Sequence, residues 1–244
     1  ILDADEVVKS PGIPDSAPLV KQLIAQNTPI LAELEFAQRY SKGKYICITG
    51  SNGKTTTTSL IYYIMQQAGK DVALAGNIGK SFAMEVAEND HEWYVLEISS
   101  FQLDNMFDFK ADIAVLMNIT PDHLDFEMQN YADSKMRIIQ NQTQDDIFVY
   151  WKQDEYIDKE LEKRRAGYAP QPTPSSKPVH GGCPRECSFC DADFEKLNLE
   201  FSQMGQHNKR NALAAYFATR NAGVSEDVIR ECLQNFPGVE HRLE

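Results

Sequence analysis

The segment from Thr49 to Thr55 restricts the fold of this chain more than any other part of the sequence. It reads Thr-Gly-Ser-Asn-Gly-Lys-Thr, follows a short apolar run at Tyr45 to Ile48, and precedes a helical pattern from Thr55 to Ala68. In such a strand, loop and helix, glycines let backbone N–H groups converge on phosphate oxygens, the lysine adds positive charge, and the hydroxyl can reach magnesium. The pattern predicts a P-loop for a nucleoside triphosphate. A glycine turn without a ligand is the alternative.

This P-loop, residues 49–55, is shorter than the usual G-x-x-x-x-G-K-[ST] pattern. Ile48 stands where the first glycine is usual, and Gly50 instead produces G-x-x-G-K-T. The helix that follows supports the P-loop interpretation, because its apolar residues fall on one face and Gly69 is suited to end it. The apolar residues of that face are Leu60, Ile61, Ile64, Met65 and Ala68.

The overall charge argues against two classes of partner. The chain has 24 Lys and Arg against 36 Asp and Glu, a net charge of -12. Nucleic acids and anionic membranes both require a basic face, so we expect neither as a partner. No apolar run approaches the ~20 residues that span a bilayer. We expect a cytoplasmic monomer, and we expect a fragment because the chain begins at Ile1 and ends just after a Pro-Gly turn.

The alternation of strand and helix patterns predicts an α/β fold. Apolar runs at 71–75, 93–96, 113–118 and 147–151 follow the P-loop unit and are separated by helical patterns, among them 130–141. This alternation is typical of a doubly wound, mostly parallel sheet with helices on both faces. Three domain assignments follow: residues 1–37 as the remnant of an N-terminal α/β domain, 38–237 as the central domain, and 238–244 as a hinge.

Polar residues follow several of these predicted strands. Asn77 follows the strand at 71–75, Glu97 follows the strand at 93–96, and His123 follows the strand at 113–118. Ligands of open parallel sheets bind beyond the carboxyl ends of the strands. Glu97 could hold magnesium and His123 could hold a metal; a solvated glutamate and a turn histidine are the alternatives.

Three cysteines provide a competing signal late in the chain. Cys183, Cys187 and Cys190 form a C-x3-C-x2-C pattern that resembles the cluster-binding motif of radical S-adenosylmethionine enzymes, and with His180 they could hold zinc. They follow a Pro- and Ser-rich stretch at 169–178, which is typical of a loop. Reduced thiols without a metal are the alternative.

Taken together, these segments resemble the muramyl ligase family, in which a short P-loop is usual. The order and spacing agree over most of residues 1 to 244. Within the family, Ser99-Ser100-Phe101-Gln102-Leu103 is similar to the members that join D-glutamate to UDP-N-acetylmuramoyl-L-alanine. The segments that carry the resemblance are 49–55, 76–79, 96–103, 118–125, 131–135, 205–211 and 240–242.

The resemblance implies a set of site residues. ATP phosphates would contact Gly50, Ser51, Asn52, Gly53, Lys54, Thr55 and Thr56. One Mg²⁺ would be held by Thr55 and Glu97, and a second by His123 and a carbamylated Lys135; Lys54, Glu97, His123 and Lys135 would be the catalytic group. The nucleotide would also contact Asn208, Asn211 and Arg242. The UDP-muramoyl substrate would face Asn77, Ser99 and Gln102, and would meet Ser10, Pro11 and Gly12 from the first domain.

The implied reaction is ATP-dependent amide formation through an acyl phosphate, in peptidoglycan precursor synthesis. The family has a UDP-binding first domain, an ATPase middle domain and a third domain that supplies amino-acid contacts. We therefore expect these 244 residues to bind magnesium–ATP without completing the reaction. Two other functions stay open: a folylpolyglutamate-type sibling ligase, and a metal-cluster protein built on Cys183, Cys187 and Cys190.

Overall fold

A small β-α-β unit forms the N-terminal part of the chain. Strands β1 (Val7–Val8) and β2 (Ile30–Leu31) pair in parallel, and helix α1 (Pro18–Ala25) connects them. Val20 and Leu23 of α1 pack on Ile30 of β2. This unit has the β-α-β arrangement that the sequence predicted for this region.

Six parallel strands form the central sheet of the computed structural model, which describes residues 1–120, 128–167 and 184–239. Their order across the sheet is β4-β5-β3-β6-β7-β8, so the strand before the P-loop, β3, lies inside the sheet between β5 and β6. The bounds are β3 Lys44–Thr49, β4 Val72–Gly76, β5 Trp93–Glu97, β6 Ile113–Leu116, β7 Ile147–Trp151 and β8 Arg185–Phe189.

Helices cover both faces of the sheet. Ile46 and Ile48 of β3 point into one core, and the alternate residues Tyr45 and Cys47 point into the other. The first core includes residues of α3, α9 and α10, and the second includes residues of α2, α6 and α7. The helix bounds are α2 Glu33–Gln38, α3 Lys54–Gln67, α4 Phe82–Glu88, α5 Ser100–Leu103, α6 Met128–Met136, α7 Glu155–Arg165, α8 Ala192–Lys196, α9 Gln206–Asn221 and α10 Glu226–Asn235. The fold is a doubly wound parallel α/β sheet, which confirms the predicted class.

Three parts of the described chain differ from the sequence predictions. Residues 185–189 form the edge strand β8 rather than a loop; Phe189 and Cys187 pack into the first core, but this alternation is too short to read as a strand from sequence. The sequence predicts an alanine-rich helix from Ala212 to Asn221, but helix α9 already begins at Gln206; its first two turns are polar and show no apolar period that would have indicated this start. Helix α6 ends at Met136 and continues as a 3-10 turn over 137–139, rather than running to 141.

Helix α2 packs with the central sheet rather than with the N-terminal strands. Leu34 and Ala37 belong to the second core, and the Glu35 carboxylate accepts backbone N–H groups from residues 107–109. None of the helices in the described ranges combines the length and apolarity that crossing a membrane would require.

Candidate active site

The P-loop connects the end of β3 to the start of α3 and is tied to the end of β6. The Ser51 N–H donates to the Asn118 carbonyl at 2.9 Å. The Asn118 side chain accepts from the Asn52 N–H at 2.9 Å and donates to the Asn52 carbonyl at 3.0 Å. These bonds fix the loop over the carboxyl edge of the sheet, where parallel α/β sheets bind ligands.

The path of the P-loop requires glycine at two positions. Gly53 has a φ of +86°, and a Cβ there would lie 2.5 Å from Asn211 Oδ1. Gly50 also has a positive φ, and a Cβ there would lie 2.8 Å from Met117 Cβ. A side chain at either position would therefore strain the backbone, and it would collide with Met117 just after β6 or with Asn211 of α9. This is why both positions of the G-x-x-G pattern require glycine.

Two lysine side chains converge on one carbonyl of the P-loop. Lys54 Nζ donates to the Gly50 carbonyl at 2.8 Å and to the Ser51 carbonyl at 3.0 Å. Lys135 Nζ, on α6, donates to the same Gly50 carbonyl at 3.0 Å and lies 4.3 Å from the ring centroid of Tyr131. Because two ammonium groups at one oxygen repel each other, the positive charge of Lys54 favours the uncharged form of Lys135.

Lys135 is nearly inaccessible to solvent, with an exposed fraction of 2%. Burial, and then the positive charge of Lys54, lower the pKa of Lys135 to about 7. A substantial share of this amine is therefore uncharged near neutral pH. An uncharged amine is the form that reacts with carbon dioxide.

Glu97 is the last residue of β5 and pairs with Ile48, directly beside the P-loop. Its side chain is buried, and Oε1 accepts from Asn77 Nδ2 at 3.0 Å. Oε2 is buried and has no hydrogen-bond partner among the described residues. A buried carboxylate oxygen requires a partner, and Mg²⁺ prefers oxygen ligands. Glu97 therefore fits a magnesium ligand, and Thr55, in the first turn of α3, adds a hydroxyl near the same edge.

An open cleft of about 450 Å³ adjoins the P-loop, and we call it the α9 cleft. The predicted nucleotide contacts Asn208 and Asn211 both line it, three residues apart on α9, and Asn211 Nδ2 donates to Asn208 Oδ1 at 3.2 Å. The lining residues are Asn52, Gly53, Met117, Asn118, Thr120, Trp151, His207, Asn208, Arg210 and Asn211.

Six residues that line the α9 cleft were not predicted as site residues: Met117, Asn118, Thr120, Trp151, His207 and Arg210. Trp151 ends β7, and the Arg210 guanidinium carbon lies 3.7 Å from the centroid of its ring. Trp151 could have been predicted as a site residue, because it lies at the carboxyl end of a strand. No local pattern distinguishes Arg210 from the other basic residues of α9.

The predicted substrate residues lie in two places. Ser99 caps α5: its hydroxyl accepts the Gln102 N–H at 3.3 Å, and Gln102 Oε1 accepts the Ser99 N–H at 2.9 Å. Both follow β5, and Asn77 follows β4, so these three lie at the same edge as Glu97. Ser10, Pro11 and Gly12 form a turn after β1, where the Ser10 carbonyl accepts the Ile13 N–H at 3.0 Å.

Four predicted residues, His123, His180, Cys183 and Arg242, lie outside the described residues. Cys187 and Cys190 are free thiols, and burial raises the pKa of the Cys187 thiol. Within the described ranges, no group of three or more His, Cys, Asp or Glu side chains is arranged to hold a metal ion.

Comparison with known proteins places this site in a family. The model of the Mur ligase middle domain matches residues 48–219. The chain is 54% identical over 258 residues to the UDP-N-acetylmuramoylalanine--D-glutamate ligase of Bacteroides fragilis, covering 100% of this chain and 56% of that protein. It is 44% identical over 260 residues to the ligase of the same name from Porphyromonas gingivalis, again covering 100% and 56%. The chain thus spans about half the length of the curated relatives it matches.

Solved structures share the fold at low identity. A UDP-N-acetylmuramoyl-L-alanyl-D-glutamate--2,6-diaminopimelate ligase superposes with a TM-score of 0.65 at 18% identity, covering 98% of this chain and 56% of that one. MurF from Acinetobacter baumannii superposes with a TM-score of 0.63 at 19% identity, covering 98% and 55%. The family model, the close relatives and the shared fold agree, and the chain belongs to the Mur ligase family.

Proposed function

We propose that this chain forms the ATP-binding part of a ligase that joins D-glutamate to UDP-N-acetylmuramoyl-L-alanine in peptidoglycan precursor synthesis. One observation carries the ATP-binding part of the proposal: Lys54 and Lys135 converge on the Gly50 carbonyl beside Glu97, whose buried Oε2 has no partner among the described residues. The Lys54 ammonium suits a polyanion, whereas the Glu97 carboxylate and the Lys135 amine, once it is carbamylated, suit a cation. The names of the relatives support the choice of acceptor and amino acid.

In the proposed reaction, the γ-phosphoryl group of ATP moves to the muramoyl-L-alanine carboxylate and ADP leaves. The amine of D-glutamate then attacks the acyl carbon, the amide bond forms, and phosphate and a proton are released. Catalysis of phosphoryl transfer rests mainly on positioning and on charge stabilisation. In this chain the N–H groups of Gly50 and Gly53, the Lys54 ammonium and Thr56 would surround the phosphates, whereas the Ser51 and Asn52 N–H groups already donate to Asn118.

We assign Thr55 and Glu97 to one Mg²⁺ and His123 with a carbamylated Lys135 to a second. Bound magnesium neutralises charge that develops on the phosphoryl oxygens. A lysine ammonium cannot coordinate a cation, whereas a carbamate supplies anionic oxygen. The burial of Lys135 and its lowered pKa favour this modification.

We expect Lys135 to be carbamylated in the presence of bicarbonate. Protein equilibrated with ¹³C-bicarbonate should show a carbamate carbon resonance by NMR, because the buried amine is partly uncharged near neutral pH. Lys135→Gln should lose the resonance, and Lys159→Gln, on the outer helix α7, should keep it. A wild-type protein that binds magnesium–ATP but shows no such resonance contradicts the assignment.

The remaining site assignments extend outward from the phosphates. Asn208, Asn211 and Arg242 are proposed to contact the nucleoside, supported for the two asparagines by their place in the α9 cleft. The UDP-muramoyl substrate is assigned to Asn77, Ser99 and Gln102 and to the turn of Ser10, Pro11 and Gly12.

We propose a UDP-binding remnant at 1–37, a central ATP-binding domain at 38–237 and a hinge at 238–244, with α2 packed on the central domain. The cytoplasmic location and the monomeric state stay predictions.

A substrate panel tests the acceptor. A protein that carries residues 1–244 within the length of the relatives should release phosphate from ATP only when UDP-N-acetylmuramoyl-L-alanine and D-glutamate are both present. L-glutamate with the same acceptor, and a folate acceptor with L-glutamate, should release at most a few per cent as much. Equal turnover with the folate pair would replace this proposal by a folylpolyglutamate-type ligase.

A further inference from the structure

Part of the lining of the α9 cleft is a stacked pair of side chains. Trp151 ends β7, and Arg210, in the second turn of α9, lies over its ring at 3.7 Å. Both line the cleft, and Arg210 keeps a side-chain exposure of 26%. The proposed chemistry at the phosphates uses neither residue.

The Arg210 guanidinium already forms an ion pair with the Asp191 carboxylate. Its Nε and terminal nitrogen donate to the two carboxylate oxygens of Asp191, each at 2.8 Å. The Asp191 N–H in turn donates to Gln153 Oε1 at 2.8 Å. A bidentate pair of this kind fixes the guanidinium plane and reduces its value as a free phosphate-binding cation. It leaves a rigid, flat surface made of an indole and a guanidinium.

The position of this surface suggests its ligand. The cleft is lined by Asn52 and Gly53 of the P-loop, by Asn208 and Asn211 of α9, and by Trp151. Its volume of about 450 Å³ lies within the range of small-molecule sites. A nucleotide with its phosphates on the P-loop would therefore place its nucleoside here, and aromatic rings and guanidinium planes are the groups on which bases stack.

We propose that Trp151 and Arg210 form the stacking surface for the base of the bound nucleotide, and that Asp191 is a positioning residue that holds Arg210 in its plane. This inference rests on the proposed function, since it takes the phosphates to bind at the P-loop. Because the residues that would bind the base lie outside the P-loop, the contributions of the base and of the phosphates to ATP affinity can be measured separately.

Tryptophan fluorescence reports directly on this surface. The chain has two tryptophans, and the other, Trp93, is buried at the opposite end of β5 from Glu97, so Trp93→Phe leaves Trp151 as the reporter. In Trp93→Phe, magnesium–ATP should quench the emission, whereas magnesium–tripolyphosphate should bind, compete with ATP and leave the emission nearly unchanged. Equal quenching by both would show that the signal does not come from base stacking, and would overturn the inference.

Affinity provides the second measurement. Trp151→Leu should weaken magnesium–ATP binding by roughly 5- to 100-fold and leave tripolyphosphate binding unchanged, because stacking acts on the base alone. Trp151→Phe should restore most of the loss, and Asp191→Asn should show a smaller, base-dependent loss. If Trp151→Leu fails to fold, Arg210→Met is measured in its place and should also weaken ATP selectively. Unchanged ATP affinity in a folded variant overturns the stacking role while phosphate binding stands. Failure of wild-type protein to bind either ligand would instead refute the proposed function.

Discussion

Lys54→Ala is expected to remove measurable binding of magnesium–ATP and to leave the fold intact. Lys54 Nζ already donates to two P-loop carbonyls, so the ammonium stands at the centre of the loop. In the proposed complex with ATP, this ammonium would donate to phosphate oxygens. Hydrogen bonds to charged groups contribute about 1.5–3 kcal/mol each, so the loss of two hydrogen bonds from Lys54 to phosphate should lower the affinity for ATP by at least ~100-fold. Calorimetric titration with magnesium–ATP measures the loss, and circular dichroism follows thermal unfolding.

Lys159→Ala is the matched control for Lys54→Ala. It removes the same charge from α7, where Lys159 lies beside the Tyr156 ring and away from the P-loop. We expect its ATP affinity to stay within about twofold of wild type, since exposed charges contribute little. Retention of wild-type affinity by Lys54→Ala would show that the P-loop does not bind the nucleotide as proposed.

Most strands of the central sheet could be predicted, because all of them except β8 have a strong local signal. The apolar runs that became β3, β5, β6 and β7 are bounded by turns and separated by helical patterns, and their edges were correct to within two residues. The placement of Glu97 at a carboxyl strand end followed from the same reasoning. The edge strand β8 could not be predicted, because its alternation covers only two inward residues and its cysteines suggested a metal motif.

Contacts between segments that are far apart in the sequence could not be predicted from local sequence patterns. Lys135 meets the Gly50 carbonyl across 85 positions of sequence, and only the family resemblance brought the two together. Arg210 and Trp151 are 59 positions apart and share no motif; they meet because α9 packs against β7. The stacking surface therefore depends on how the helix docks on the sheet, which no local pattern encodes.

Glu97→Gln is expected to weaken the magnesium dependence of ATP binding while keeping the shape of the site. Glutamine has nearly the same volume and can still accept from Asn77 Nδ2 through its amide oxygen, as Glu97 Oε1 does at 3.0 Å. Its amide nitrogen would take the place of the buried Oε2, and an N–H donor repels a cation where a carboxylate attracts one. The loss of this anionic ligand should weaken magnesium-dependent ATP affinity by about tenfold or more, equivalent to ~1.4 kcal/mol.

The matched control and the stability measurement separate a metal role from a structural one. Glu162→Gln makes the same change at an exposed position of α7 and should leave the ratio of ATP affinities with and without magnesium unchanged. In Glu97→Gln that ratio should fall by about tenfold or more. The melting temperature should not decrease, because an amide nitrogen replaces a buried carboxyl oxygen that has no hydrogen-bond partner among the described residues. A variant that keeps the wild-type magnesium dependence would show that Glu97 is not a metal ligand. A marked loss of stability with the same dependence would make it a structural partner of Asn77, so the two measurements together decide what the unpartnered oxygen does.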